Sequence, residues 1–197
     1  LIIHLLYACG LRVSEPLGLR IKDVDLENSR LIIREPKHGH DRFVPVPCKL
    51  IEPLRRQLER AKEANADHVR DGVPVKLPGL LDKKYPRCGF DQAWAWVFPM
   101  RKSCRDPRSC ETVMWHCLDQ TVQRAMREAV RRAGISSFMT PHHLRHGYAT
   151  HLLQRGASIR DIQEVLGHRS IETTMGYCTP DAARVVSPIE AIDVGAT

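Results

Sequence analysis

Glycines that directly follow helix-forming stretches constrain the fold of this chain more than any other feature. Glycine tolerates the left-handed conformation in which many helices end. A helix-forming segment followed by such a glycine therefore predicts a helix that stops there. The predicted helices cover residues 1–8, 118–133, 140–155 and the stretch from 158, and they end at Gly10, Gly134, Gly156 and Gly167. The chain is therefore expected to be mainly helical.

Further helices are predicted by their caps and by their apolar spacing. Ser14 can cap a second helix, because Ser followed by Glu and Pro suits a first turn. Residues 50–66 form an amphipathic pattern with Leu54, Leu58 and Ala61 on one face. A last short helix is expected from Ser170, and Pro180 ends it.

Two short strands complete the prediction. Residues 31–34 and 42–46 are rich in apolar and β-branched side chains, and the Pro- and Gly-containing loop 35–41 joins them into a hairpin. Pro45 lacks a backbone N–H, so the second strand should lie at a sheet edge. The predicted fold class is α+β, mainly α, with one small antiparallel sheet.

The stretch from 67 to 115 is less regular and contains all three tryptophans. Within it, residues 77–85 predict a short helix and residues 94–98 a short strand. The whole chain of 197 residues suits a single domain with a real core.

The charge of the chain favours a polyanionic partner. Thirty Lys and Arg against 23 Asp and Glu leave a net charge of +7 at pH 7. Such an excess attracts nucleic acid, because bound phosphates release their counterions, but many basic proteins have no such partner.

The cysteines indicate a reduced, cytoplasmic compartment. Seven cysteines are scattered along the chain without a C-x-x-C pair. Cys104, Cys110, His116 and Cys117 have gaps that fit no common zinc framework, so we expect no metal. The apolar start, residues 1–8, is too short to span a membrane.

A His-x-x-Arg pair near the start of a predicted helix can bind a phosphate group. His142 and Arg145 lie three residues apart and share one helix face. The helix N-terminus favours an anion, Arg offers a planar fork for phosphate oxygens, and His exchanges protons near neutral pH. A basic, solvated helix face explains the same residues equally well.

Other candidate residues are individually modest. Arg12 lies in a tight Gly-Leu-Arg turn, Lys37 in the hairpin loop, His168 after a helix-ending glycine, and Tyr177 nine residues further on. Taken singly, Arg12 could be a structural tie, Lys37 an exposed and inert lysine, and Tyr177 a core tyrosine.

The order of these motifs resembles the tyrosine recombinase family from residue 1 to about Tyr177. The resemblance implies that Tyr177 attacks a DNA phosphodiester and forms a 3′-phosphotyrosine, with no metal or other cofactor. Arg12 and Arg145 would bind the non-bridging oxygens, with Glu15 supporting Arg12. His168 would donate to the same phosphate, His142 would help take the tyrosine proton, and Lys37 would protonate the departing 5′ oxygen.

The segment 67–108 resembles the insertion of integron integrases, which exchange gene cassettes. In that subfamily the insertion helps to hold bases extruded from folded single-stranded DNA sites. Stacking on splayed bases suits Tyr85, Trp94 and Trp96. The alternative is that both tryptophans are core residues of the insertion.

The resemblance also implies partners and a neighbouring domain. Members of the family act as homotetramers on DNA and have an N-terminal core-binding domain, which we expect this sequence to lack. The alternatives are a non-catalytic DNA-binding fragment, in which residues 140–167 act as a helix-turn-helix-like pair, and a phage-type or chromosome-dimer-resolving recombinase. A type IB topoisomerase shares much of this chemistry but lacks the insertion pattern.

Overall fold

The structure is a computed structural model that describes residues 1–34 and 41–167. The described helices are α1 (Ile2–Ala8), α2 (Ser14–Leu17), α3 (Cys48–Arg70), α4 (Leu81–Lys84), α5 (Asp119–Arg132), α6 (Pro141–Gln154) and α7 (Ile159–Leu166). The strands are β1 (Val24–Asp25), β2 (Arg30–Ile33), β3 (Arg42–Pro45), β4 (Cys104–Arg105) and β5 (Thr112–Val113). The predicted class, α+β with helices predominant, is confirmed.

The main core lies between α1, the sheet and α3. Strands β1, β2 and β3 form an antiparallel sheet in that order, with Leu31 opposite Val44 in the register of β2 and β3. Both of these side chains are fully buried, as are Leu5 on α1 and Leu54 on α3. Burial of these apolar faces stabilises the sheet against the helices. Strand β3 is an edge strand, as Pro45 predicted.

Helices α6 and α7 bring the last described segment back to α1. The N-cap of α7 is Ser158, whose hydroxyl accepts a hydrogen bond from the Asp161 N–H at 3.1 Å, as the predicted capping box requires. Gly167 ends α7 in the left-handed conformation, with φ of 63°. Helix α1 contacts both α5 and α6, and α7 contacts α6 and β3.

The structure differs from the predicted elements in three ways. Residues 94–98 form no strand, because Gln92–Trp94 is a 3-10 turn and only Trp96 makes an isolated bridge, with Arg20. The short strands β1, β4 and β5 were not predicted, since two-residue strands have no readable periodicity. Ser14 does not cap α2 through its side chain; the N-cap is Val13.

A second small core holds this middle segment together. Val75, Leu77, Trp96 and Met114 are buried against one another. Beside them, the buried carboxylate of Asp106 pairs with Lys76 and accepts hydrogen bonds from the Arg108 N–H and the Ser109 hydroxyl. The ion pair with Lys76 lowers the pKa of Asp106. The segment is therefore an ordered subdomain rather than a loop.

Within residues 1–34 and 41–167, no helix has the length and apolar character to cross a membrane. The same ranges contain no group of three or more His, Cys, Asp or Glu side chains placed to hold a metal ion.

Candidate active site

Arg145 is the largest of the fully buried side chains in the part of the chain that the structure describes. It lies on the first turns of α6, and its side chain is 2% exposed. Its Nη1 donates to the Gly10 carbonyl and its Nη2 to the Leu166 carbonyl, each at 2.7 Å. The guanidinium therefore joins the end of α1 to the end of α7, and charge-assisted hydrogen bonds offset part of its desolvation.

Glu15 is the acidic centre of this region. One carboxylate oxygen accepts from the Arg12 backbone N–H at 2.7 Å, and the other accepts from Arg12 Nη1 at 3.0 Å. Arg145 Nη1 lies 3.8 Å from the same carboxylate. Glu15 thus holds Arg12 and Arg145 close together, although they are far apart in sequence.

A third arginine, Arg42, also binds Glu15. Its Nη2 donates to Glu15 at 2.7 Å. The sequence analysis missed this residue, but strand alternation could have found it, because Arg42 shares a face of β3 with the fully buried Val44. Three guanidiniums around one carboxylate leave an excess of positive charge, which suits the binding of an anion.

Arg12 and Arg145 both bind the C-terminal end of α7. Arg12 Nη2 donates to the Gly167 carbonyl at 3.3 Å, next to the Leu166 carbonyl that binds Arg145. Cations are favoured at a helix C-terminus, where carbonyl groups lack helical partners. The side chain of Arg12 remains 43% exposed, so a ligand in solution can reach it.

His142 lies on an exposed position of the same helix start as Arg145. Together with Val13 and Phe138 it lines a cavity of about 270 Å³ beside the turn that contains Arg12. The next residue, His143, has a structural role: its Nδ1 accepts a hydrogen bond from the Thr140 backbone N–H at 3.1 Å. Both histidines are exposed, but only His143 takes part in capping the helix.

Three predicted catalytic residues, Lys37, His168 and Tyr177, lie outside the described residues. The structure nevertheless describes the residues that flank the segments containing Lys37 and His168. Arg34 and Asp41 border the undescribed segment 35–40 that contains Lys37, and Gly167 directly precedes His168.

Gly10 provides the tightest backbone approach at the site. It adopts φ of 61°, and a Cβ atom there would lie 2.4 Å from the ring of Tyr148. Burial raises the pKa of the Tyr148 phenol, and the neighbouring Cys9 raises it further. The pKa of Cys9 is itself raised by burial to about 12, so this thiol stays protonated.

We expect Gly10→Ala to lower the free energy of unfolding by about 2–4 kcal/mol, because strain at positive φ adds to overpacking against Tyr148. Displacement of the backbone at residue 10 should also move the carbonyl that accepts a hydrogen bond from Arg145. Gly134→Ala is the matched control, since Gly134 has φ of 66° and no atom within 4 Å of the added Cβ. Urea unfolding of both variants is the measurement, and equal losses would contradict the packing argument.

The aromatic residues of the insertion differ sharply in accessibility. Trp96 is 8% exposed, with the Arg20 guanidinium 3.0 Å from its ring centroid and its Nε1 donating to the Met114 carbonyl. Trp96 is therefore a core residue, and the expectation that it stacks on a DNA base does not fit this geometry. Trp94 is partly buried and has Lys22 Nζ 2.9 Å from its ring centroid. Tyr85 is 47% exposed.

Arg20 fastens the insertion to the rest of the domain. Its Nη1 donates to the Trp94 carbonyl and its Nη2 to the Lys76 carbonyl, each at 2.7 Å. The Ile21 N–H donates to the Ala95 carbonyl at 3.0 Å, and the Val97 N–H to the Leu19 carbonyl at 3.0 Å. Burial lowers the pKa of Arg20. Sequence reasoning missed this role, because a lone Arg before a 3-10 turn has no distinctive pattern.

Fold and site together define a class: a mainly helical α+β domain that gathers arginines from distant segments around one carboxylate. The model of the phage integrase family matches residues 1–184. The chain therefore belongs to the phage integrase family, that of the tyrosine recombinases.

Relatives support this assignment. An "Integrase/recombinase" of Escherichia coli is 43% identical over 193 residues, which cover 96% of this chain and 57% of the relative. "Tyrosine recombinase XerA" of Pyrococcus furiosus is 35% identical over 190 residues, covering 96% of this chain and 53% of the relative. The chain therefore spans little more than half the length of these curated relatives.

Solved structures share the fold. A crystal structure of XerA recombinase superposes with a TM-score of 0.62 at 28% identity, over 92% of this chain and 53% of that one. XerH site-specific recombinase bound to difH substrate, a pre-cleavage complex, has a TM-score of 0.62 at 24% identity. It covers 96% of this chain and 44% of that one, and at this identity it shows the fold alone.

Proposed function

We propose that this chain is the catalytic domain of a site-specific DNA recombinase that cleaves and rejoins strands through a 3′-phosphotyrosine at Tyr177. The observation that supports this most strongly is the approach of Arg12 and Arg145 to Glu15 at the end of α7. These arginines come from opposite ends of the described chain, 133 positions apart by number (145 − 12). A purely structural helix pair would not need the exposed Arg12 guanidinium.

The chemistry follows from charge and positioning. A tyrosine hydroxyl has a pKa of about 10, so its attack on phosphorus needs a proton acceptor or a strong positive field. Arg12 and Arg145 supply that field and stabilise the charge that develops on the non-bridging oxygens. His142 accepts the phenol proton, directly or through water, and His168 donates a hydrogen bond to the phosphate.

In the bond-making step, the Tyr177 oxygen forms a bond to phosphorus while the bond to the 5′ oxygen breaks. Lys37 gives its proton to that leaving oxygen, which departs as a 5′-hydroxyl. The phosphotyrosine ester conserves the energy of the original phosphodiester, so the reverse attack by a 5′-hydroxyl rejoins the strand without ATP.

A nicked suicide substrate tests the proposal. Its short 5′ fragment diffuses away after cleavage, so the covalent adduct cannot reverse. We expect this chain to form an adduct that survives denaturation. DNA binding without an adduct would favour the alternative, a non-catalytic DNA-binding fragment.

Sulfur substitution tests the role of Lys37. We expect Lys37→Ala to slow cleavage by about 100-fold or more, within the range for lost general acid catalysis. A substrate with sulfur at the 5′ bridging position should restore most of the rate, because a thiolate leaves without protonation. Equal impairment on both substrates would contradict a proton-donor role.

We further propose that the recombinase exchanges gene cassettes as an integron integrase does. The insertion supports this proposal: it is an ordered subdomain with its own core, and it presents Tyr85 at its surface. A recombinase of the Xer type is an equally plausible function, because XerA is among both the sequence relatives and the solved structures. In either case the expected partners are DNA and three further copies of the full-length protein, in the cytoplasm.

Binding to folded DNA separates the two subfamilies. If the integron proposal is right, a hairpin with extrahelical bases should bind better than the matching perfect duplex at fixed salt. Tyr85→Ala should reduce that preference, because base stacking contributes about 1–3 kcal/mol. Phe43→Ala is the control, since Phe43 is 57% exposed but lies outside the insertion. Equal affinity for both probes would favour the Xer type.

A further inference from the structure

Arg42 lies where three parts of the site meet. It is the first residue of β3 and lies two positions after the undescribed segment 35–40 that contains Lys37. Its side chain is only 13% exposed and reaches Glu15 at 2.7 Å. A charged side chain so little exposed needs a specific partner, and Glu15 supplies one.

The carboxylate of Glu15 distributes its contacts between three guanidiniums. Oε1 accepts from both Arg42 Nη2 at 2.7 Å and Arg12 Nη1 at 3.0 Å. Oε2 accepts from the Arg12 backbone N–H and lies 3.8 Å from Arg145 Nη1. The Glu15 side chain is 9% exposed, so these charges are weakly screened by solvent. Arg42 and Arg12 therefore fix each other through one shared oxygen.

Arg42 also lies directly against the end of α7. A Cβ atom on Gly167 would be 3.1 Å from Arg42 Cδ and 3.2 Å from its Cζ. Only glycine fits this approach at φ of 63°. The next residue is His168, so the backbone that leads to it rests on the Arg42 side chain.

We infer that Arg42 is a positioning residue for DNA cleavage. It acts through Glu15 on the Arg12 guanidinium, and it holds the start of β3 against the end of α7. This inference rests on the proposed function, because it assigns a role within the same cleavage reaction.

The kinetic test compares Arg42→Met with Arg30→Met as the matched control. Arg30 lies on the neighbouring strand, pairs with Asp25 at 2.8 Å and stacks on Phe43, away from Glu15. We expect Arg42→Met to lower the single-turnover cleavage rate by about 10–100-fold, as outer-shell partners do in metal sites, with the Kd for DNA changed less than about three-fold. Arg30→Met should stay within about three-fold in both quantities.

A double-mutant cycle shows whether Arg42 acts through Glu15. Arg42→Met slows cleavage by a certain factor in the parent. In a Glu15→Gln background we expect that factor to be at least about five-fold smaller, because the two residues share a contact. Equal factors in both backgrounds would overturn the inference. Arg42→Lys, which keeps the charge, should restore part of the rate and serves if Arg42→Met does not fold.

Hydrogen exchange provides a readout that does not depend on activity. The Arg12 amide donates to Glu15, and the Gly167 amide closes α7 on the Glu164 carbonyl. Arg42→Met should speed exchange at both amides and leave those of Val75 and Met114 in the insertion unchanged. Unchanged exchange at Arg12 and Gly167 would overturn the inference. If the parent forms no covalent adduct, the proposed function fails, and exchange alone decides the positioning role.

Discussion

Replacement of Tyr177 by Phe should abolish the covalent protein–DNA adduct while leaving DNA affinity within a few-fold of the parent. The phenol oxygen is the attacking atom in the proposed mechanism, so no other group can form the ester. The same oxygen contributes little to binding of the uncleaved substrate, because its interaction with phosphorus develops in the transition state.

The other three tyrosines serve as controls for this result. Tyr7 is 44% exposed and its hydroxyl lies 2.7 Å from His151 Nδ1, so it is the alternative phenol that has a histidine beside it. Tyr148 packs on Gly10 with a pKa raised by burial, which disfavours its anion. Phe variants of Tyr7, Tyr85 and Tyr148 should therefore keep the adduct. Loss of the adduct in Tyr7→Phe alone would move the nucleophile to α1.

Arg145→Lys should lower the rate of cleavage by about 100- to 1,000-fold, the cost typical of losing one preorganised donor to a developing oxyanion. Lysine cannot reproduce the planar fork that donates to both the Gly10 and the Leu166 carbonyls. The free energy of unfolding of the variant should also fall by about 1.5–3 kcal/mol, because the variant loses a hydrogen bond made by a charged group.

Arg20→Lys separates the catalytic loss from the structural one. Arg20 is buried to a similar degree, 6% exposed, and its guanidinium likewise bridges two carbonyls at 2.7 Å each. Because Arg20 lies at the insertion, we expect a similar loss of stability but a cleavage rate within about ten-fold of the parent. If the two variants lose cleavage equally, the role of Arg145 is structural.

Much of the fold could be predicted because the helix signals are local. The Ser158 cap, the Gly10 and Gly167 ends and the amphipathic spacing of α3 each involve residues close in sequence. In the structure α3 spans Cys48–Arg70 and so extends beyond the predicted 50–66. The prediction ended at 66 because the residues that follow are more polar. Boundaries of this kind depend on packing rather than on local pattern.

The site was predictable only as a set of candidate residue types. Arg12, Arg145 and Glu15 were identified by their motifs, and the resemblance implied that Glu15 supports Arg12. Nothing in the sequence indicates that Glu15 also approaches Arg145 or that both arginines bind the end of α7. Arg42 belongs to no recognised motif, and only the alternation of β3, which places it on the face of the buried Val44, indicates that it points inward. For Trp96 the sequence allows both base stacking and a place in the core of the insertion, because the Arg20 guanidinium that covers it comes from 76 positions earlier (96 − 20).

Identification of the residue joined to DNA tests the central claim most directly. The adduct from the suicide substrate is digested with protease and nuclease, and the modified peptide is sequenced by mass spectrometry. We predict a nucleotide linked through its 3′ phosphate to the oxygen of Tyr177. Attachment at any other residue, or linkage through a 5′ phosphate, would contradict the proposed mechanism.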